Sequence, residues 1–360
     1  MARKNFLDMA QFCQRMKEQG LAAVIAASPN AVFHTSGCLI ITHNPIRDRL
    51  AFCITTAEGR QCLVVCTIEV SLCEHDSWVK DIRGYVEFKE LPTHLLAKTL
   101  TELGLSNKTV GIDLDYLRES YFRELTEAAP NVNFVAADGL LDEIREVKSD
   151  GQIALMRDAA VGSEAAIADL LQEPLTGQSE RQVRARLRRT LADRGADGSY
   201  LVVAAGPNVV VPGHRAGDHV LAAGEPLVID AAVTYDGYVA EAAASCVLGA
   251  VAATAAETAL NSVYRAGAYA LRAGRRAGDV FAAAEAGARK AGGVLIGDTV
   301  GYGLSFGGKE PPFLARNSAE ALKSGMTVAL DVTYQHSGGP MLRRKQTWVL
   351  AADRARELSG

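Results

Sequence analysis

Asp230 and Glu241 are the side chains in this sequence most in need of a chemical explanation. Asp230 closes the apolar run Pro226-Leu-Val-Ile, so its carboxylate is not an ordinary surface charge. Glu241 follows after the polar turn Tyr235-Asp236-Gly237. Two antiparallel strands joined by a short turn bring such a pair onto one face. Partly buried carboxylates repel each other unless a cation or a shared proton separates them. One carboxyl raised by its neighbour would serve as an acid in proton transfer. The competing reading is a structural ion pair, since such networks also perturb proton affinities. His214, beside a Pro-Gly turn, titrates near neutrality and suits general acid/base work, or is a plain loop residue. Tyr302 and Lys309 lie in the glycine-rich stretch GYGLSFGGKEPP, where backbone approaches a ligand closely.

The elements that must hold these residues read in order along the chain. Residues 3–19 have apolar Phe6, Met9, Phe12 and Met16 at helical spacing. LAAVIAAS (21–28) is a buried strand, and RLAFCIT (49–55) pairs with QCLVVCT (61–67) around Ala57-Glu58-Gly59. Residues 94–105 are helical, and KTVGID (108–113) is a strand. This alternation predicts an α/β domain over residues 1–143. Residues 144–360 form the second domain, entered through a boundary near Asp142 to Ser149. Helices are expected over 150–171, 179–194 (with Ser179 as N-cap), 252–273 and 279–291. Strands are expected at 199–206, across the central hairpin, at 326–334 and at 345–351, so this half is α+β with helices on one side of a mostly antiparallel sheet.

Composition removes several classes of function. The chain has 360 residues and is 48% hydrophobic, enough for two cores. No apolar run reaches the eighteen or so residues that a membrane span needs. The charged N-terminus lacks the apolar centre of a signal peptide, so a cytoplasmic location is expected. Net charge is −4, and the six arginines between 181 and 194 lie at helical spacing, with Glu180 and Asp193 beside them. That pattern is a solvated helix face and excludes nucleic acid as the expected partner. Of the seven cysteines, six precede residue 74, and Cys62-x3-Cys66 has no matching second pair. Buried thiols are therefore expected in place of a zinc site.

Several ordered segments together resemble the creatinase/aminopeptidase P/methionine aminopeptidase family, the pita-bread fold. KSDGQIALMRDAA (148–160) is similar to the helix that opens the catalytic domain, and GPNVVVPGH (206–214) to the substrate-side histidine segment. GEPLVID and GYVAE match the first metal-binding hairpin, GYGLSFGGKEPP the region usually written GHGIG…HE-P, and GMTVALDV and RRKQTWVL the last ligand strands. The resemblance implies two divalent metals held by two Asp, one His and two Glu. Carried over by position, the first Asp is Asp230, the second is Glu241, the His is Tyr302, the first Glu is Asp331 and the bridging Glu is Lys345. The second catalytic His becomes Lys309, whereas Glu310 and His214 are retained.

Lys345 decides between chemistries. Three carboxylates about 5 Å apart repel by roughly 3 kcal/mol per pair at an effective dielectric near 20. An ammonium in the bridging position removes that cost and repels incoming cations, so no cofactor and no dinuclear metal are expected. A single ion on Asp230, Glu241 and Asp331 is the alternative. A Schiff-base role for Lys345 needs a depressed pKa, opposite to what carboxylate neighbours produce. The leading expectation is a metal-independent enzyme acting on a small amino-acid-like or amidine-like molecule by C–N hydrolysis or a lyase-type step, as creatinase hydrolyses a C–N bond without metal. In it His214 moves a proton, Glu241 or Asp331 assists, and Lys345 and Tyr302 orient an anionic group. Asp230, Lys309 and Glu310 line the substrate. The family resemblance also implies a homodimer in which a first-domain loop, here His43, Arg47 and Arg49, reaches the partner's site. The alternatives are a catalytically silent pita-bread binding protein and an Xaa-Pro-type peptidase with a remodelled metal site.

Overall fold

The computed structural model describes residues 4–46 and 48–360. The chain divides into two compact units, Met1–Arg145 and Glu146–Gly360.

In the first unit the described residues form a six-stranded mixed sheet. Its strands are β1 (Ala23–Ala26), β2 (Phe52–Thr56), β3 (Gln61–Cys66), β4 (Asp81–Tyr85), β5 (Thr109–Ile112) and β6 (Asn133–Ala136), in the order β4-β3-β2-β1-β5-β6. Strands β1, β2 and β3 are antiparallel neighbours, while β3–β4, β1–β5 and β5–β6 are parallel. Both faces are buried: Val24, Cys53, Leu63 and Val65 pack on one side, and Ile25, Ile54, Cys62 and Val64 on the other. Continuous apolar runs such as AVIA and CLVVC are what a sheet covered on both faces requires. The helices are α1 (Met9–Glu18), α2 (Pro29–Ser36), α3 (Val70–Asp76), α4 (Pro92–Glu102), α5 (Glu119–Ala128) and α6 (Asp138–Glu146). The opening helix is shorter than its periodicity predicts. Asp8 caps it by accepting from the Gln11 amide, so Phe6 lies before the helix while Phe12 and Met16 are buried.

The second unit carries the candidate chemistry. Helices α7 (Asp150–Leu171), α8 (Glu180–Asp193), α9 (Ala255–Ala270) and α10 (Ala277–Lys290) accompany strands β7 (Gly198–Ala205), β8 (Pro226–Tyr235), β9 (Tyr238–Val247), β10 (Gly293–Leu295), β11 (Thr299–Gly303), β12 (Glu310–Ala315), β13 (Thr327–His336), β14 (Met341–Leu350) and β15 (Ala355–Glu357). The strands form one antiparallel sheet along the path β12-β11-β13-β14-β9-β8-β7, with β10 on β13 and β15 on β14. Ser179 caps α8 in a reciprocal box with Gln182, and Thr254 with Glu257 starts α9 three residues later than the alanine pattern implies.

Alternation along the strands separates two faces. Leu227, Ile229, Ala231 and Val233 of β8 pack with α7 and α8. Val328, Leu330 and Val332 of β13 pack with α9 and α10. Asp230 and Asp331 therefore project from the opposite, open face. The β8–β9 turn has Asp236 and Gly237 both at positive φ, +50° and +86°, matching the tight hairpin that an Asp-Gly pair favours.

Candidate functional site

The hairpin register sets Asp230 opposite Ala243 and Glu241 opposite Ala232. The two acids are thus diagonal neighbours on the open face. Pairing of β13 with β14 puts Asp331 directly opposite Lys345, and Lys345 is also the β14 residue paired with β9, at Ala243. Four strands therefore deliver their charged side chains to one point. Tyr302 joins them from β11 through a backbone irregularity. The register between β11 and β12 shifts within Thr299–Gly303, and Val300 packs in the helix-side core while Tyr302 faces the acids. Gly301, with φ +152°, allows this because a Cβ there would lie 2.1 Å from the Ala329 carbonyl oxygen.

Lys345 is 3% exposed and its ammonium is the centre of the cluster. Nζ donates to Asp230 Oδ1 at 2.9 Å and to Glu241 Oε2 at 2.7 Å, and lies 3.6 Å from Asp331 Oδ2. A second cation, Arg343, sits beside it. The Arg343 guanidinium grips Asp331 with two nitrogens, at 2.7 and 2.5 Å, and reaches Asp230 Oδ2 at 2.6 Å. The Tyr302 hydroxyl donates to Glu241 Oε2 at 2.6 Å. Burial pushes the Asp331 carboxyl up, but Lys345 and Arg343 more than offset this and hold it below the usual carboxylate range. Burial alone would lower Lys345. Asp331 and Asp230 outweigh it and keep the ammonium above an ordinary lysine. The Tyr302 phenol is raised by burial, so it stays a donor.

A cavity of about 670 Å³ opens over this cluster. Asp230, Glu241, Tyr302, Lys309, Arg343 and Lys345 line it, with Tyr200 and Gly308 at its walls. The Lys309 ammonium sits 4.5 Å from the centre of the Tyr302 ring.

Other expected site residues are placed elsewhere. His214 is absent from that lining among the described residues. Its Nε2 meets Glu180 Oε2 at 2.7 Å instead. Glu180 is fully buried and also accepts from the amides of Ala205 and Gly217 and from Asn208, so it ties down the loop that carries His214. Burial pushes the Glu180 carboxyl up, but the Gly217 amide and His214 win and hold it low. Glu310 is engaged with Lys148 at 3.0 Å and Ser305 at 2.7 Å, in place of a substrate-facing role. His43, expected on a loop reaching a partner's site, is 1% exposed against Tyr116, and burial lowers its pKa to about 4, so it is neutral near pH 7. Arg49 is held by Glu87 through two hydrogen bonds of 3.1 and 2.8 Å. Arg47 lies outside the described residues.

Comparison with known proteins bears on this architecture. Residues 154–351 match Metallopeptidase family M24, and residues 9–147 match the Creatinase/Prolidase N-terminal domain. The chain belongs to family M24. It is similar to the Bacillus subtilis (strain 168) protein called "Putative dipeptidase YkvY", with 26% identity over 326 residues, 88% of this chain and 87% of that protein. Among solved structures, the X-Pro aminopeptidase from Thermotoga maritima MSB8 is similar with a TM-score of 0.85 at 20% identity, covering 100% of this chain and 98% of that one. The prolidase from Thermococcus sibiricus gives a TM-score of 0.87 at 19% identity, with the same coverage. These likenesses fix the pita-bread fold, and family membership assigns the chain to the peptidase-type hydrolases.

Within that family frame, sequence reasoning missed two residues. Arg343 stands two places before Lys345 on β14, so period-two alternation puts both cations on one face. That signal was present in the sequence. Glu180 gave none, because an acid in the first turn of a helix is ordinarily a solvated partner of the helix dipole.

Proposed function

We propose that this chain is a metal-independent hydrolase of family M24, acting on an amide-type C–N bond of a small molecule bound over the open face of the sheet. The observation that carries this reading is Lys345 Nζ, buried among Asp230, Glu241 and Asp331. The family's metal pair would need those carboxylates together with a His and a bridging Glu. Here the His position is Tyr302, a protonated donor to Glu241, and the bridging position is Lys345. Asp331 spends both oxygens on Arg343. The residues do not fit two divalent ions.

Glu241 is the group suited to proton transfer. Lys345 and Tyr302 fix its Oε2, which leaves Oε1 for the cavity that Glu241 lines. In this reading Oε1 takes a proton from water as the water oxygen bonds to the carbonyl carbon. Lys309 faces the charge that develops on the carbonyl oxygen. Cleavage of the C–N bond then returns the proton from Glu241 to the leaving nitrogen. His214, turned onto Glu180, acts by positioning its loop.

The test is a screen of dipeptides and blocked amides with and without chelator. Chelator-resistant turnover that disappears in Glu241→Gln, with ligand binding retained, is the expected result. Unchanged turnover in Glu241→Gln would remove that residue from the mechanism. A second reading, a silent binding protein, is favoured by the way the carboxylates of the cluster are already satisfied by Lys345, Arg343 and Tyr302. Ligands that raise the melting temperature without being turned over would select it.

A further inference from the structure

The seven cysteines of the chain are thiols, and two of them are poised on each other. Cys38 Sγ and Cys73 Sγ stand 3.2 Å apart, and the residues are 1% and 0% exposed. Cys38 follows Gly37, the left-handed residue that ends α2, and so opens the loop toward β2. Cys73 is the buried residue of α3. The two segments are already joined, since Arg49 lies 3.6 Å from Glu69 just before α3, and the Thr42 hydroxyl also donates to Glu69. Closing the sulfur pair to a bond of about 2.05 Å asks for a movement of roughly 1 Å. Cys53 and Cys62 are buried too. Burial pushes Cys53 up to about 12, and Cys62 likewise, which makes them poor nucleophiles.

We propose that Cys38 and Cys73 form an oxidisable dithiol, a modification site at which peroxide closes a disulfide that clamps the loop after α2 to α3. The chemistry balances with hydrogen peroxide as the two-electron oxidant. One thiolate attacks a peroxide oxygen, the O–O bond breaks, and a sulfenic acid and water form. The second thiol then attacks that sulfur, its proton leaves with the hydroxyl as a second water, and the sulfur–sulfur bond is made. The neighbouring thiol intercepts the sulfenic acid before further oxidation.

Peptide mapping of the intact chain after peroxide, without reductant, tests this. The expected product is a Cys38–Cys73 cross-linked peptide lighter by two hydrogens, with a melting temperature raised by roughly 5–15 °C and restored by dithiothreitol. Cys38→Ser should abolish the cross-link and leave Cys73 to proceed to sulfinic acid. Cys73→Ala provides the same readout from the other partner if Cys38→Ser folds poorly. Peroxide that oxidises the half-buried Cys13 while Cys38 and Cys73 stay thiols, or that links either to a different cysteine, would overturn the proposal.

Discussion

Lys345→Met would leave Asp230, Glu241 and Asp331 around an uncharged chain, with Arg343 able to meet only two of them. Removing one partner of a buried ion pair costs about 3–5 kcal/mol, and urea melts at neutral pH should show a loss of that size. Part of it should return on acidification, as protonation relieves the repulsion. The unmutated cluster behaves differently with pH. Asp331 is held below the usual range, so its contribution is present above the unfolded carboxylate value, about 4, and is lost as pH falls through the lower folded value. Lys345 is held above its usual range, so its contribution is complete below about 10.4 and is lost only as pH rises through the higher folded value. Melts from pH 5 to pH 9 should show no transition attributable to either group. A stability step inside that window that vanishes in Lys345→Met would contradict the assignment.

At the scale of elements, the seam between β9 and β14 and the irregularity in β11 hold the cluster together. The seam has a single Cα pair, Lys345 with Ala243, and side chains supply the rest. Thr347 Oγ1 accepts from the Glu241 amide at 2.8 Å and donates to the Glu241 carbonyl at 3.0 Å. Thr347→Val should cost about 1–3 kcal/mol, because it strands two buried backbone groups. Gly301→Ala should cost about 3 kcal/mol or more and shift Tyr302 away from Glu241, since the new methyl collides with the Ala329 carbonyl. Calorimetry measures the first, and a crystal structure of the second reads the Tyr302–Glu241 distance directly. The β8–β9 hairpin was readable in advance because Asp-Gly between two apolar runs leaves few alternatives. The β11 irregularity was not, because a glycine among other glycines does not announce which one turns the strand.

For the whole molecule, the division into two units and the one-sided helix layer follow from patterns that extend over many residues. Continuous apolar strands mark the first sheet as covered on both faces, and alternation from Leu227 to Val233 marks the second as half open. The pairing of Asp230 with Glu241 was readable from the hairpin itself, whereas Asp331, Tyr302 and Lys345 joined them only through the family resemblance. What resisted reading was local. Whether His214 points into the cavity or onto Glu180 depends on loop geometry that no periodicity encodes. Nor does spacing disclose the burial of His43 or the pairing of Glu310 with Lys148, because both depend on which neighbours the folded backbone supplies.

In the function proposed above, organic cations do here what divalent ions do elsewhere in family M24. A crystal structure of the protein grown in excess manganese tests it most directly. Lys345 Nζ should remain within hydrogen-bond reach of Asp230 and Glu241, with Arg343 on Asp331 and no ion between them. Two manganese ions bridging those carboxylates, with the Lys345 side chain turned out into solvent, would contradict it.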